Sequence, residues 1–150
     1  MEDIHMSRYY RNITLIAMLI SILWVVLVNT QPFSDFAYYN QIANQVASGG
    51  QWGDTYTSVG YSIVLGFVYK IFGNSLASAK VFNLVLTFLN YGMFYIILQK
   101  VNLNEKRRKI IYGLFVFFPS NIFYNSVLAA EIVFTTVLLF ITLIYFYDIK

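Results

Sequence analysis

Three ionisable residues stand where such residues are uncommon. Lys80 and Glu131 interrupt apolar runs long enough to be membrane helices, and Asp35 lies near the start of the long polar segment that follows the first run. An ionised side chain at the centre of a bilayer costs at least about 2.5–3.5 kcal/mol by insertion scales, so Lys80 and Glu131 each call for a partner or water. A carboxylate beside a cation suits transfer of a group from a phosphate. The acid takes a proton from an acceptor hydroxyl while the cation steadies the charge that develops on the leaving phosphate. Plainer explanations stand beside this one: a Lys80–Glu131 ion pair tying two helices together, and an Asp35 that only complements its own helix dipole, an effect of about 0.3–1 kcal/mol. Asp54 is a second candidate acid or metal ligand, although a solvated turn aspartate beside Gly53 is its more ordinary reading.

Composition says what must hold these groups. The chain is 59% hydrophobic and 11% charged, with a mean hydropathy of +0.62, too apolar for an ordinary soluble domain of 150 residues. There is no cysteine, which excludes a disulfide framework, a thiolate metal site and a cysteine nucleophile. A glycine-rich phosphate loop, a His-containing metal spacing and a Ser/His/Asp arrangement are also missing, and the lone His5 sits in a polar tail. The cations are clustered: Lys106, Arg107, Arg108 and Lys109 lie together near Lys100, between two apolar runs. That context indicates a cytoplasmic membrane loop rather than a nucleic-acid patch, and Arg8 and Arg11 ahead of the first run agree with it.

The apolar runs then define the fold class: all-α, a polytopic membrane protein, with residues 1–150 as a single membrane domain. Crossings are expected over Ile13–Val28, Leu76–Leu98, Ile110–Tyr124 (through Pro119) and Ser126–Tyr147, with the N-terminus cytoplasmic. A cleaved signal peptide is disfavoured for the first run because no small-residue cleavage pattern follows it. The outer loop 30–60 contains its own helix, capped by Ser34 and stopped by Gly49-Gly50. Phe36, Tyr39, Ala43 and Val46 line one face of it, which suits a helix lying in the membrane interface. Tyr61–Phe72 is too short to span and is expected to be a second interfacial or re-entrant helix. Along the next helix, Lys80, Asn83, Thr87 and Asn90 share one face and should meet protein or a wet cavity, as should Glu131 and Thr135 on the last. Asp35, Lys80 and Glu131 are thus expected to converge on a cavity at the outer face. Aromatic residues in membrane proteins usually anchor interfaces; Tyr38, Tyr39, Trp52 and Tyr61 in the same region are also compatible with stacking on a sugar.

Three stretches carry a resemblance: SDFAYYNQIANQVASG, GYSIVLGFVYKIFGNSLASAKVFNLVL and FPSNIFYNSVLAAEIVF. In order and spacing they resemble the GT-C superfamily of integral-membrane glycosyltransferases, in particular relatives of protein mannosyltransferases and aminoarabinose transferases. Ser62 departs from that pattern, which has a proline after Gly-Tyr. The resemblance covers the N-terminal part of such enzymes. It implies transfer of a sugar from a polyprenyl-phosphate donor to an acceptor at the outer membrane face. On that basis Asp35 is the general base, Lys80 contacts the donor phosphate and Glu131 belongs to the substrate site. No cofactor is implied, with a divalent cation left open; the partners are the lipid-linked donor, the bilayer and further membrane helices, with no nucleic acid. The competing class is a non-catalytic membrane scaffold or assembly subunit whose polar stripes bind neighbouring helices.

Overall fold

The computed structural model describes residues 7–28, 30–53 and 59–148. Among them every regular element is helical: α1 (Arg8–Leu27), α2 (Asp35–Ala47), α3 (Gly60–Phe72), α4 (Leu76–Lys100), α5 (Glu105–Val116), α6 (Pro119–Phe123), a 3-10 turn (Tyr124–Ser126) and α7 (Ala130–Asp148). Three of these, α1, α4 and α7, are long and apolar enough to cross a membrane.

Side-chain bonds fix how the helices run. Tyr10 donates to Glu105 Oε2 at 3.4 Å, the Thr14 and Tyr112 hydroxyls bond at 2.6 Å, and Trp24 Nε1 donates to Ser126 Oγ at 3.1 Å. α1 therefore runs in the same direction as the segment from α5 to the 3-10 turn. α4 runs against both, since Arg108 donates to Gln99 near one end and Asn83 Nδ2 donates to the carbonyl of Val127 near the other. α7 lies alongside α4 in parallel, with the Lys100 ammonium 5.2 Å from the ring centre of Tyr147. Arg8, Arg11, Lys100 and the run Lys106–Lys109 gather at one end of the bundle, the basic end; α2 and α3 cap the other, the loop end.

Two sequence expectations are corrected. The Lys106–Lys109 cluster is not a loop but the first turn of α5, capped by Asn104 Oδ1, which accepts from Arg107 N–H at 2.9 Å. Glu105 supports it with an i,i+4 ion pair to Lys109 at 3.4 Å. The segment 110–124 breaks at Pro119, where a proline ends or kinks a helix. Phe118 is extended (φ −61°, ψ 124°) because the ring of the following Pro119 disfavours helical geometry there. Pro119 then starts α6, and the last helix begins at Ala130 rather than Ser126. Ser126 is held in the 3-10 turn by Trp24 and Thr30, and Val127 is extended.

The α2–α3 pair forms largely where the sequence indicates. α2 ends in a Schellman motif, with Gly50 N–H donating to the Gln45 carbonyl (2.7 Å) and Gly49 N–H to that of Val46 (3.1 Å); Gly49 takes the left-handed φ of +78° this needs. Gly66 of α3 is packed so closely that a Cβ would fall 2.6 Å from the Val46 side chain. Tyr69 donates to Asn40 Oδ1 at 2.7 Å, and the rings of Tyr39 and Tyr61 meet edge to face at 5.5 Å. The pair docks on the bundle through Tyr61, Leu65 and Tyr69, packed with Ala79 and Leu128.

Candidate functional site

The polar stripe of α4 organises the loop end. Asn83 is fully buried, and its amide donates to the carbonyls of Tyr124 (3.2 Å) and Val127 (2.8 Å), satisfying backbone that the broken helix leaves without partners. Thr87 donates to Asn125 Oδ1 at 2.8 Å, and Asn125 Nδ2 donates to the Asn121 carbonyl at 2.7 Å. The expectation that this face meets protein or a cavity therefore holds for Asn83, Thr87 and Asn90.

Beside these bonds lies a cavity of about 160 Å³ between α4, α6 and the start of α7. Asn90, Ser120, Asn121, Tyr124, Glu131 and Thr135 contribute to its wall. Asn90 is 5% exposed, and its Oδ1 is buried with no hydrogen-bond partner. The Asn83 Oδ1 and the Tyr61 hydroxyl, outside this wall, also make no hydrogen bond, although the Asn83 side chain lies near enough to Tyr61 to oppose the rise in its pKa. An unpaired buried polar atom costs about 1–3 kcal/mol, so the Asn90 oxygen on the cavity wall calls for a partner.

Glu131 proves to sit in the first turn of α7 and to be exposed, not one to two turns inside an apolar helix. There its charge complements the helix N-terminus and needs no ion pair to be tolerated. Its field reaches Tyr124 in the 3-10 turn: chiefly through that negative charge, with burial adding to it, the phenol is held above its ordinary pKa. Burial, followed by the neighbouring Tyr69, pushes the Tyr61 hydroxyl well up, and Glu131 adds a smaller push in the same direction.

The other candidate residues are placed as follows. Lys80 is half-buried on α4, one turn before Asn83, and no carboxylate lies within 4 Å of it among the described residues, so the Lys80–Glu131 ion pair does not form. Asp35 is exposed at the first position of α2. Glu131 lines the cavity; Asp35 and Lys80 do not. One turn on from Asp35 is Tyr39, whose ring meets that of Tyr61 edge to face. Ser34 precedes α2, but its hydroxyl caps no backbone N–H. Its backbone adopts φ +50°, ψ −132°, in a turn closed by Phe36 N–H donating to the Phe33 carbonyl at 3.0 Å. Such a conformation costs a non-glycine residue on the order of 1–3 kcal/mol, and it sits immediately before Asp35.

Tyr38 is half-buried, and Trp52 is exposed with its ring edge-on to Phe67. Asp54 lies outside the described residues. Among the described residues no group of three His, Asp or Glu side chains is arranged to hold a metal ion. Sequence reasoning missed Asn121, Tyr124 and Asn125. The available signal was the i,i+4 pair of asparagines in the otherwise apolar stretch NIFYN, which lipid would not tolerate unsatisfied.

Fold and site together define a class: a helical bundle with three helices fit to cross a membrane and a carboxylate-bearing polar cavity at one end. Set against protein-family models, curated proteins and solved structures, the chain matches none of them.

Proposed function

We propose that this chain carries the acceptor and donor site of a glycosyltransferase that uses a polyprenyl-phosphate-linked sugar at the outer face of a cell membrane. In this reading α1, α4 and α7 cross the bilayer and α5 with α6 makes a fourth, broken crossing. The basic end faces the cytoplasm, as the positive-inside bias favours, and α2 and α3 lie at the outer interface. The observation that carries it is the cavity at the loop end: a wall rich in amides and hydroxyls with one carboxylate, Glu131, suits the hydroxyl groups of a sugar.

The chemistry is a displacement at the anomeric carbon. Asp35 takes the proton from the acceptor hydroxyl as its oxygen bonds to that carbon. The bond from the carbon to the phosphate oxygen breaks, and polyprenyl phosphate leaves with the electron pair. Lys80 offsets the charge growing on that phosphate. The exposure of Asp35 supports its part, since a base on a docked loop helix must be reachable by an acceptor from outside. General-base removal typically costs about 10²–10⁴-fold in rate. Asp35→Asn should therefore lower sugar transfer by about that factor in membranes supplied with a lipid-linked donor, while leaving thermal unfolding unchanged because the side chain is exposed. Transfer at the unaltered rate in that variant would remove Asp35 from the role.

A further inference from the structure

On the far side of α6 from the polar cavity lies an apolar groove of about 640 Å³ against α1, lined by Ile20, Trp24, Phe117, Pro119, Ile122 and Phe123. Ser120 and Tyr124 belong to the walls of both spaces, so the five-residue α6 stands between them. The groove continues along α1 as a second apolar depression of about 310 Å³ that shares Ile20 and Trp24 and extends to Leu27 and Val28. An apolar groove and a polar cavity thus lie on either side of one short helix. The polar side holds an amide oxygen, Asn90 Oδ1, that is buried and has no partner.

We propose that groove and cavity together are a binding site for a single-chain membrane amphiphile: its chain lies between α1 and α6, and a hydroxyl-rich head reaches past Ser120 and Tyr124 into the Glu131 cavity. Two features set the chemistry of the occupant. The cavity wall contains a carboxylate and no cation, so it repels an anionic head and accepts hydrogen bonds from hydroxyls. The groove opens sideways among the exposed apolar side chains of α1, where a chain can enter from lipid. Calling the head a sugar rests on the function proposed above; the division into chain groove and head cavity does not. An anionic linkage between chain and sugar stays outside the cavity, beyond Ser120 and Tyr124.

Trp24 provides the reporter. The chain has two tryptophans, so Trp52→Phe leaves Trp24 alone. The full chain carrying Trp52→Phe, in phosphatidylcholine nanodiscs, is titrated with a dodecyl glucoside brominated on its chain, and with the same chain ending in a methyl ester or a phosphate. Trp24 quenching should saturate with the glucoside and rise linearly with the ester and the phosphate. The half-saturating glucoside concentration should rise about tenfold with Glu131→Gln or Asn90→Leu, the usual scale for losing one hydrogen bond to a bound ligand, and Ser120→Phe should abolish saturation. Linear quenching by all three probes would show only bulk lipid and overturn the site. Saturation by the phosphate at lower concentration than by the glucoside would overturn the assignment of the head. No sugar transfer is needed for this measurement: saturable binding retained in a chain whose transfer ignores Asp35→Asn would leave the amphiphile site standing and the glycosyltransferase reading fallen.

Discussion

The two ends of the bundle treat their polar groups in opposite ways. At the basic end Tyr10, Tyr95 and Tyr112 form a buried aromatic cluster whose rings meet edge to face at 5.1–6.2 Å. Two of the three hydroxyls there have partners, Tyr10 on Glu105 and Tyr112 on Thr14. Arg108 binds Gln99 and the Val101 carbonyl, although its Nε and the Gln99 Nε2 remain unpartnered. At the loop end Asn90 buries an unpaired oxygen on the cavity wall, and Tyr61 and Asn83 bury one each away from it. The basic end is tied together by bonds between helices, and the cavity with its unpaired amide is the part organised for something that binds. Polar groups left unpaired in a low-dielectric interior are costly, so they persist where another demand outweighs stability.

Stability measurements on the full chain in detergent can break this contrast. The largest effect belongs to Tyr112→Ala: the ring is fully buried among Tyr10, Tyr95 and Phe94, and its removal should destabilise by about 3–5 kcal/mol, read as a lowered unfolding temperature. A small effect there would mean the basic end is not the structural anchor.

A smaller, pH-dependent effect isolates the α2–α3 pair. Burial holds the Tyr69 hydroxyl up at about 12, above its ordinary value of 10.0. Because the folded pKa is raised, the stability contributed by neutral Tyr69 is complete below pH 10 and is lost as pH climbs from there through about 12. Tyr69→Phe should flatten that alkaline loss of α2–α3 protection in amide exchange; an unchanged profile would assign it to another group.

The smallest effect is the most telling. Asn90→Leu removes a buried amide whose oxygen bonds to nothing, so stability should change by less than about 1 kcal/mol or rise slightly. The same substitution at a satisfied position would cost clearly more. A large loss of stability in this variant would mean that Asn90 is a structural residue and would erase the distinction between the two ends.

Much of this protein was written locally. The bounds of α2, α3 and α4 follow from Gly49-Gly50, Gly73 and the Ser75 cap, whose Oγ accepts from Ser78 N–H at 3.1 Å, because turn and cap chemistry acts within a few residues. Lengths and hydropathy likewise identify α1, α4 and α7 as helices fit to cross a membrane. The burial of Asn83, Thr87 and Asn90 was legible in their helical spacing, since lipid tolerates no such stripe. What lay beyond the sequence depends on partners distant along the chain. Ser126 is taken out of α7 by Trp24 and Thr30, about a hundred residues earlier, and that shift moves Glu131 from a helix interior to a helix end. Pro119 announces a break, but only the packing of the freed carbonyls onto Asn83 decides that the break becomes a wall between a polar cavity and an apolar groove. Spacing along one helix says which side chains share a face; which of them meet across the molecule is set by how the helices pack, and that placed Glu131 on the cavity and left Lys80 and Asp35 off it.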